Sequence, residues 1–403
     1  MDAVMTPESQ APRFPMDRTC PYNPPAGYRK AAAEGSLTKV ALYDGRLVWL
    51  VSGHEEARTL MTDPRISCDK QNPDFPIVAE YAAEFVRRVR NPLLGVDEPE
   101  HGPNRRMLIS AFSLKRVAAM RPGIQEVVDE LIDEILEKGP SADLVPAFAL
   151  PVPSRVICQL LGVPYEDHAF FEEQSRRMLR GPLAEDIHDG RVRLREYLDK
   201  LIVEKEATPG DGLLDELVEE QLKPGLISRW DLATLIMVLL VAGHETTANT
   251  LSLGAFTLLE HPDQLARFRA EPEAVVDTVE ELLRYTAIAD LVPRVATGDI
   301  EIAGLTIKAG DGLLFATSTI NRDPAVFPDP DVFDVRRGQR QHLTFGFGVH
   351  QCLGQNLARA EMEIALSSLF ARIPGLRLAV PADELPIRGG DVIQGLDTLP
   401  VEW

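Results

Sequence analysis

The stretch from Ser228 to Glu260 sets the strongest limit on what this chain can fold into. Ser228 with Asp231 three residues on has the form of a capping box, and a helical pattern then runs unbroken to the His261-Pro262 pair. At 1.5 Å per residue this is a rod of roughly 50 Å, long enough to cross a whole domain. From Leu235 to Ala242 it is apolar on every side, so other elements must enclose it. Its longest apolar run, Leu232 to Gly243, stays far below the roughly 20 residues of a membrane-spanning helix.

The rest of the chain supplies the enclosure. With 403 residues, 45% of them hydrophobic and 26% charged, it can bury a large core. The run Lys39 to Val51 places Asp44-Gly45 between two alternating segments, a hairpin signal. Helices are predicted at His54 to Thr62, Val78 to Val89, Pro103 to Phe112, Leu114 to Lys138, Ser154 to Leu161, Tyr165 to Leu179, Asp189 to Ala207 and Pro272 to Tyr285. Short strands are predicted at Asp299 to Ile302, Leu305 to Ile307 and Gly312 to Ala316. The composition is mainly α with minor β, and no linker divides it, so residues 1–403 read as one domain.

Charge and cysteine usage exclude several classes. The 42 Lys and Arg against 62 Asp and Glu give a net charge of −20, which argues against a general nucleic-acid or anionic-membrane binder. Cys20, Cys68, Cys158 and Cys352 show no C-x-x-C spacing, so neither a zinc ribbon nor a disulfide framework is suggested. Without an apolar h-region near its N-terminus, the sequence reads as a soluble protein of a reducing, cytoplasmic compartment.

One glycine-rich loop carries a candidate metal ligand. Phe345-Gly346-Phe347-Gly348-Val349-His350-Gln351-Cys352-Leu353-Gly354 delivers a cysteine to the start of a helix predicted from Leu353 to about Ile373. Glycine accepts positive φ and lets backbone approach a flat ligand. Unpaired N–H groups and the dipole at a helix start favour a thiolate at Cys352, and a thiolate can hold iron. The spacing Phe345-x-x-Gly348-x-x-x-Cys352-x-Gly354 resembles the haem-binding loop of the cytochrome P-450 family, whose proximal ligand is a cysteine thiolate.

Inside the long helix lies Ala242-Gly243-His244-Glu245-Thr246-Thr247. A glycine and two threonines in a helix interior cost about 1 kcal/mol or more relative to alanine. Two readings account for them. Small residues let a second helix pack closely; alternatively, a Thr246 hydroxyl bonded to the Ala242 carbonyl opens a groove for oxygen and water, with Glu245 beside it to relay protons. The pair resembles the acid-alcohol pair of the P-450 distal helix. That implies catalytic roles: Thr246 steadies bound dioxygen, and Glu245 feeds protons toward O–O cleavage.

Glu281 and Arg284 stand at i and i+3, a spacing common by chance. Their place between the long helix and the cysteine loop matches the family's structural E-x-x-R, which implies a buried bidentate pair. The family completes that pair with an arginine in P-x-R-F. Here the matching residues are Pro330-Asp331-Val332-Phe333, leaving Arg336 or Arg337 as the third member.

Haem b carries two propionates that need donors or cations when buried. The family's positions match His101 and Arg105, Arg294, and His350 two residues before Cys352. With Phe345, Gly348 and Gly354 these form the implied cofactor-binding set, and Cys352 is the implied iron ligand. His54, His168, His188, His261 and His342 read as loop or helix-end residues, while His244 borders the implied distal pocket.

No complete G-x-G-x-x-G or P-loop is present, so no nicotinamide or flavin module is visible. The resemblance implies electrons from a separate ferredoxin and ferredoxin reductase, docking on a basic patch of Arg105, Arg106, Arg116, Arg340 and Arg359. It covers essentially the whole chain and is closest to the soluble bacterial, ferredoxin-dependent type. One triangular, monomeric haem domain is implied, with O2-dependent hydroxylation or epoxidation of a small, mainly hydrophobic molecule. The implied pocket segments are Ser67 to Val96, Phe170 to Gly190, Ile236 to Gly243, Ile288 to Val295 and Val392 to Asp397; Arg87, Arg88 and Arg90 suggest a substrate with a carboxylate. The alternatives are a haem-thiolate peroxygenase using H2O2, against which Glu245-Thr246 argues, and a non-enzymatic haem sensor, which would need neither residue.

Overall fold

A computed structural model describes residues 11–78, 80, 83, 90–180, 183–387 and 393–403. Among these, the helices of nine or more residues are α1 (Ala26–Glu34), α2 (His54–Thr62), α3 (His101–Ile109), α4 (Leu114–Lys138), α5 (Pro151–Leu161), α6 (His168–Arg180), α7 (Ala184–Ala207), α8 (Arg229–Glu260), α9 (Pro262–Ala270), α10 (Val275–Thr286) and α11 (Gln355–Arg372). The strands are β1 (Leu37–Ala41), β2 (Leu47–Val51), β3 (Ile66–Ser67), β4 (Ser141–Asp143), β5 (Val292–Ala296), β6 (Ile300–Ile302), β7 (Leu305–Ile307), β8 (Gly312–Phe315), β9 (Arg377–Leu378) and β10 (Pro400–Glu402). Helix takes 54% of the described residues and strand 11%, the expected mainly α, minor β class.

The long helix is the axis. Ser228 Oγ accepts the Asp231 N–H at 3.0 Å, and α8 then runs its predicted length against α5, α7, α10 and α11. By length and apolarity α8 would pass for a membrane span, yet most of it is enclosed by the fold. Each Leu or Ile so buried contributes roughly 1.5–3 kcal/mol. Between Leu232 and Leu258 every residue is buried except Ala242, Gly243 and Thr246. Gly243 answers to packing: a Cβ there would lie 2.7 Å from Cδ1 and Cγ1 of Ile157 on α5.

A five-stranded sheet flanks the helices in the order β1-β2-β8-β5-β3. The predicted hairpin forms it at one edge, with Leu37 opposite Val51. At the other edge Ser67 pairs with Val295, which brings the chain after β3 beside Arg294. Smaller sheets are β4-β10-β9 and the β6-β7 hairpin.

Glu281 and Arg284 are fully buried and bidentate, with Nε to Oε2 at 2.7 Å and Nη2 to Oε1 at 2.8 Å. The third member is Arg337, whose Nε donates to Glu281 Oε1 at 3.2 Å, while Arg336 pairs with Glu271.

Some boundaries differ from expectation. α7 starts at Ala184 rather than Asp189 and runs through Gly190, where a Cβ would meet the Gln174 carbonyl oxygen of α6 at 2.9 Å. α11 starts at Gln355 because Gly354 is its N-cap. The segment Val292–Ala296, for which no strand is predicted, is a strand. The helix predicted at Val78 to Val89 lies almost wholly outside the described residues, as do Arg87, Arg88 and Val392.

Candidate active site

The cysteine loop is shaped by close approaches of backbone. Gly346 and Gly348 take φ of +68° and +74°, and a Cβ on Gly348 would lie 2.7 Å from the Met61 carbonyl oxygen at the end of α2. The Cys352 N–H closes the loop on the Phe345 carbonyl at 2.8 Å. Gly354 has an ordinary φ of −82° and serves as a cap.

The Cys352 side chain is exposed at its surface, yet burial among surrounding protein pushes its pKa up. N–H groups of Gly354 and Gln355 and the guanidinium groups of Arg105 and Arg359 pull it back toward thiolate. A group both open and crowded stands on the wall of an interior cleft.

On α8 the accessible positions Ala242, Gly243 and Thr246 share one side of the helix, so a cleft reaches the middle of an otherwise enclosed rod. Thr246 Oγ1 donates to the Ala242 carbonyl at 2.7 Å, as expected. Glu245 is buried next to it, and Asn249 Nδ2 donates to the Glu245 carbonyl at 2.7 Å. His244 does not border this cleft. It is fully buried on the opposite side, its ring centroid 6.0 Å from that of Phe171 and its Nδ1 2.7 Å from the Leu240 carbonyl.

The residues expected to hold two carboxylates come together. The His101 and His350 rings lie 4.2 Å apart, and Arg105 Nη2 donates to the Gln351 carbonyl at 2.6 Å, next to His350. Burial, then His350 and Arg105, lowers the pKa of His101 to about 4, so it is neutral at pH 7. Its Nδ1 is buried without a hydrogen bond. Arg294 feels the charges of Cys68 and Asp97, and burial lowers its pKa.

Sequence reasoning missed several neighbours. Asp97 accepts bonds from Ser67 Oγ and the Cys68 N–H, and lies 3.7 Å from His350 Nε2. Burial would raise its pKa, but His350, Ser67 and Cys68 outweigh that and hold it well below the usual range. Cys68, 3.4 Å from His350 Nε2, is pushed up to about 12 by burial and by Asp97. Lys70 sits in the same corner, within electrostatic reach of Arg294. No local pattern marks these residues; the β3–β5 pairing assembles them.

His342 lies in the loop before the cysteine, as expected, yet it is buried with Nε2 2.9 Å from Glu280 Oε2 on α10. Arg359 Nε of α11 donates to the other Glu280 oxygen at 2.6 Å and its guanidinium stacks 4.5 Å over the Phe345 ring. Burial would raise the pKa of Glu280, but His342 and Arg359 together hold it at about 2. Arg359 is therefore committed behind the loop; of the expected basic patch, Arg106, Arg116 and Arg340 are exposed, Arg116 in a pair with Glu216. Arg90 is also exposed and pairs with Glu100. The Gln394 N–H donates to the Ile288 carbonyl at 2.8 Å, joining two of the expected pocket segments.

Residues 167–373 match the family model described as cytochrome P-450. Over 97% of each chain the protein is 59% identical to a pentalenic acid synthase of Streptomyces avermitilis. It is 50% identical to a vitamin D3 dihydroxylase of Streptomyces griseolus, over the full length of both. Among solved structures, the mycinamicin VIII C21 methyl hydroxylase of Micromonospora griseorubida, bound to mycinamicin VIII, superposes with a TM-score of 0.92 at 43% identity, covering 97% of this chain and 100% of that one.

Proposed function

The chain belongs to the cytochrome P-450 family of haem-thiolate monooxygenases, and we propose on that premise that it hydroxylates or epoxidises a small, mainly hydrophobic organic molecule. Electrons come from a ferredoxin and its reductase. Relatives named for pentalenic acid, vitamin D3 and mycinamicin VIII support a small-molecule substrate. Residues 1–403 work as one monomeric haem domain, a reading supported by a hydrophobic cluster that runs from Leu93 to Val401. Four free cysteines fit a reducing cytoplasm.

The residues present fit haem b. Cys352 offers a soft thiolate ligand on a cleft wall, and Arg105 and Arg294 bring desolvated positive charge that two propionates would neutralise. His101, neutral and with a ring N–H to give, and His350 complete the propionate partners. Phe345, Gly348 and Gly354 hold the loop that carries the ligand. Bound haem supplies the one-electron and dioxygen chemistry, with thiolate donation favouring O–O cleavage.

The protein's own work on the distal side is positional. The Thr246 hydroxyl, held on the Ala242 carbonyl, presents its oxygen to the cleft and orders water there. Glu245 holds the proton that this hydroxyl passes on. The single observation that carries the reading is accessibility: Cys352 is exposed, and Thr246 is open in an otherwise buried helix.

Reduced protein under CO should show the long-wavelength band of thiolate ligation, and Cys352→His should abolish it. A band that survives the substitution refutes the ligand assignment. Product formed with O2, ferredoxin and reductase, and little with H2O2 alone, separates a monooxygenase from a peroxygenase; turnover by neither route would leave a haem sensor.

A further inference from the structure

Lys70 is a cation with no role in the set described so far. Its stem lies along Gly95, which takes φ of +92°; a Cβ there would sit 3.0, 3.1 and 3.4 Å from Lys70 Cγ, Cδ and Cε. The missing side chain at 95 thus forms a cradle for three successive methylenes and fixes where the ammonium goes. Among the described residues, Nζ makes no hydrogen bond or ion pair. Yet the surroundings are crowded: burial lowers the Lys70 pKa, and Arg294 pushes the same way.

Neither neighbouring acid is free to serve Lys70 as a counterion. Cys68, pushed up to about 12, is a neutral thiol at pH 7. Asp97 is engaged by Ser67, Cys68 and His350. Two crowded cations, Lys70 and Arg294, therefore lie within electrostatic reach of each other, with Asp97 near Arg294 already shared among other donors, and desolvated charges of that kind are stabilised when a bound anion pairs with them.

We propose that Lys70 is a carboxylate-binding residue, its stem laid along Gly95 so that its ammonium, within electrostatic reach of Arg294, grips a carboxylate brought either by the cofactor or by an acidic substrate. The proposal rests on the haem-thiolate reading above. Both sources share one chemistry, an ammonium donating to a carboxylate, and differ in what its loss would disturb.

Haem-loaded wild type is compared with Lys70→Met, which keeps the stem, and Lys70→Arg, which keeps the charge. Three quantities are read: haem transfer to apomyoglobin, the ferric/ferrous midpoint potential, and spin-state titrations with adamantane-1-carboxylic acid and its methyl ester. If the partner is a propionate, Lys70→Met releases haem about tenfold faster and its potential falls, with the acid-to-ester preference unchanged. If the partner is substrate, the acid binds about tenfold more weakly to Lys70→Met while the ester and haem release do not change. Lys70→Arg should stay near wild type in either case. Equal haem release, equal potential and equal acid-to-ester preference in wild type and Lys70→Met, including no acid preference in either, overturn the proposal. A wild-type protein without the thiolate CO band would instead sink the haem reading itself.

Discussion

Thr246 is one of four threonines on α8 that bond back one turn; Thr234, Thr250 and Thr257 do the same at 2.7–2.8 Å. The bond alone therefore distinguishes nothing. Accessibility does, because the other three are buried and Thr246 opens on the cleft. Thr246→Ala removes a hydroxyl that has little packing duty, so the fold and the CO band should persist. What should fail is coupling: NADPH consumption continues, but peroxide appears in place of product. Thr246→Ser, which keeps the hydroxyl, should restore most of the yield. Full coupling in the alanine variant would remove Thr246 from the proton path.

At the level of elements, the α5–α8 crossing depends on Gly243. Alanine there would gain about 1 kcal/mol of helix propensity. The added methyl would sit 2.7 Å from Ile157, and overpacking of that kind costs about 1–3 kcal/mol. Gly243→Ala should therefore lower the thermal midpoint, and Ile157→Ala, which removes both the Cδ1 and the Cγ1 that clash, should make the double variant lose less than the sum of the two single changes. Additive losses would place the cost elsewhere. The same pair shows what sequence could and could not convey. Small residues mid-helix announced a close approach, and α2, α4 and α8 followed their predicted bounds because helical periodicity is local. The two-residue β3 and the strand β5 were not legible, since short strands exist through their partners. Within the site, Cys352, Glu245 and Thr246 could be read from spacing. Asp97 and His350 lie 253 positions apart, and only the fold makes them neighbours. The third arginine was narrowed to two candidates, and what separates them is that Glu271 takes Arg336 and leaves Arg337 for Glu281.

Across the molecule, two adjacent acids on α10 tie that helix to the segments on both sides of the cysteine loop. Glu281 anchors Arg284 and Arg337, while Glu280 joins α10 to the segment before the cysteine loop through His342 and to α11 through Arg359. The Glu280 group is balanced as a carboxylate, a guanidinium and a neutral imidazole, since burial lowers the pKa of His342. Glu280 itself falls from 4.5 to about 2, which corresponds to ~3 kcal/mol of stability at neutral pH. Because the folded-state value is the lower one, that contribution is complete above pH 4.5 and is lost as pH falls toward 2. His342 acts in the same direction from a higher pH, since the unfolded imidazole takes up protons below 6.5 while the folded one resists. Glu280→Gln mimics the protonated acid permanently. It should be less stable than wild type by up to ~3 kcal/mol at pH 7, and the two should converge as pH approaches 2–3. Thermal or urea midpoints of the haem-loaded proteins from pH 7 to pH 3 measure this directly. Midpoints that stay parallel over that range would mean that Glu280 does not carry its charge into the folded core.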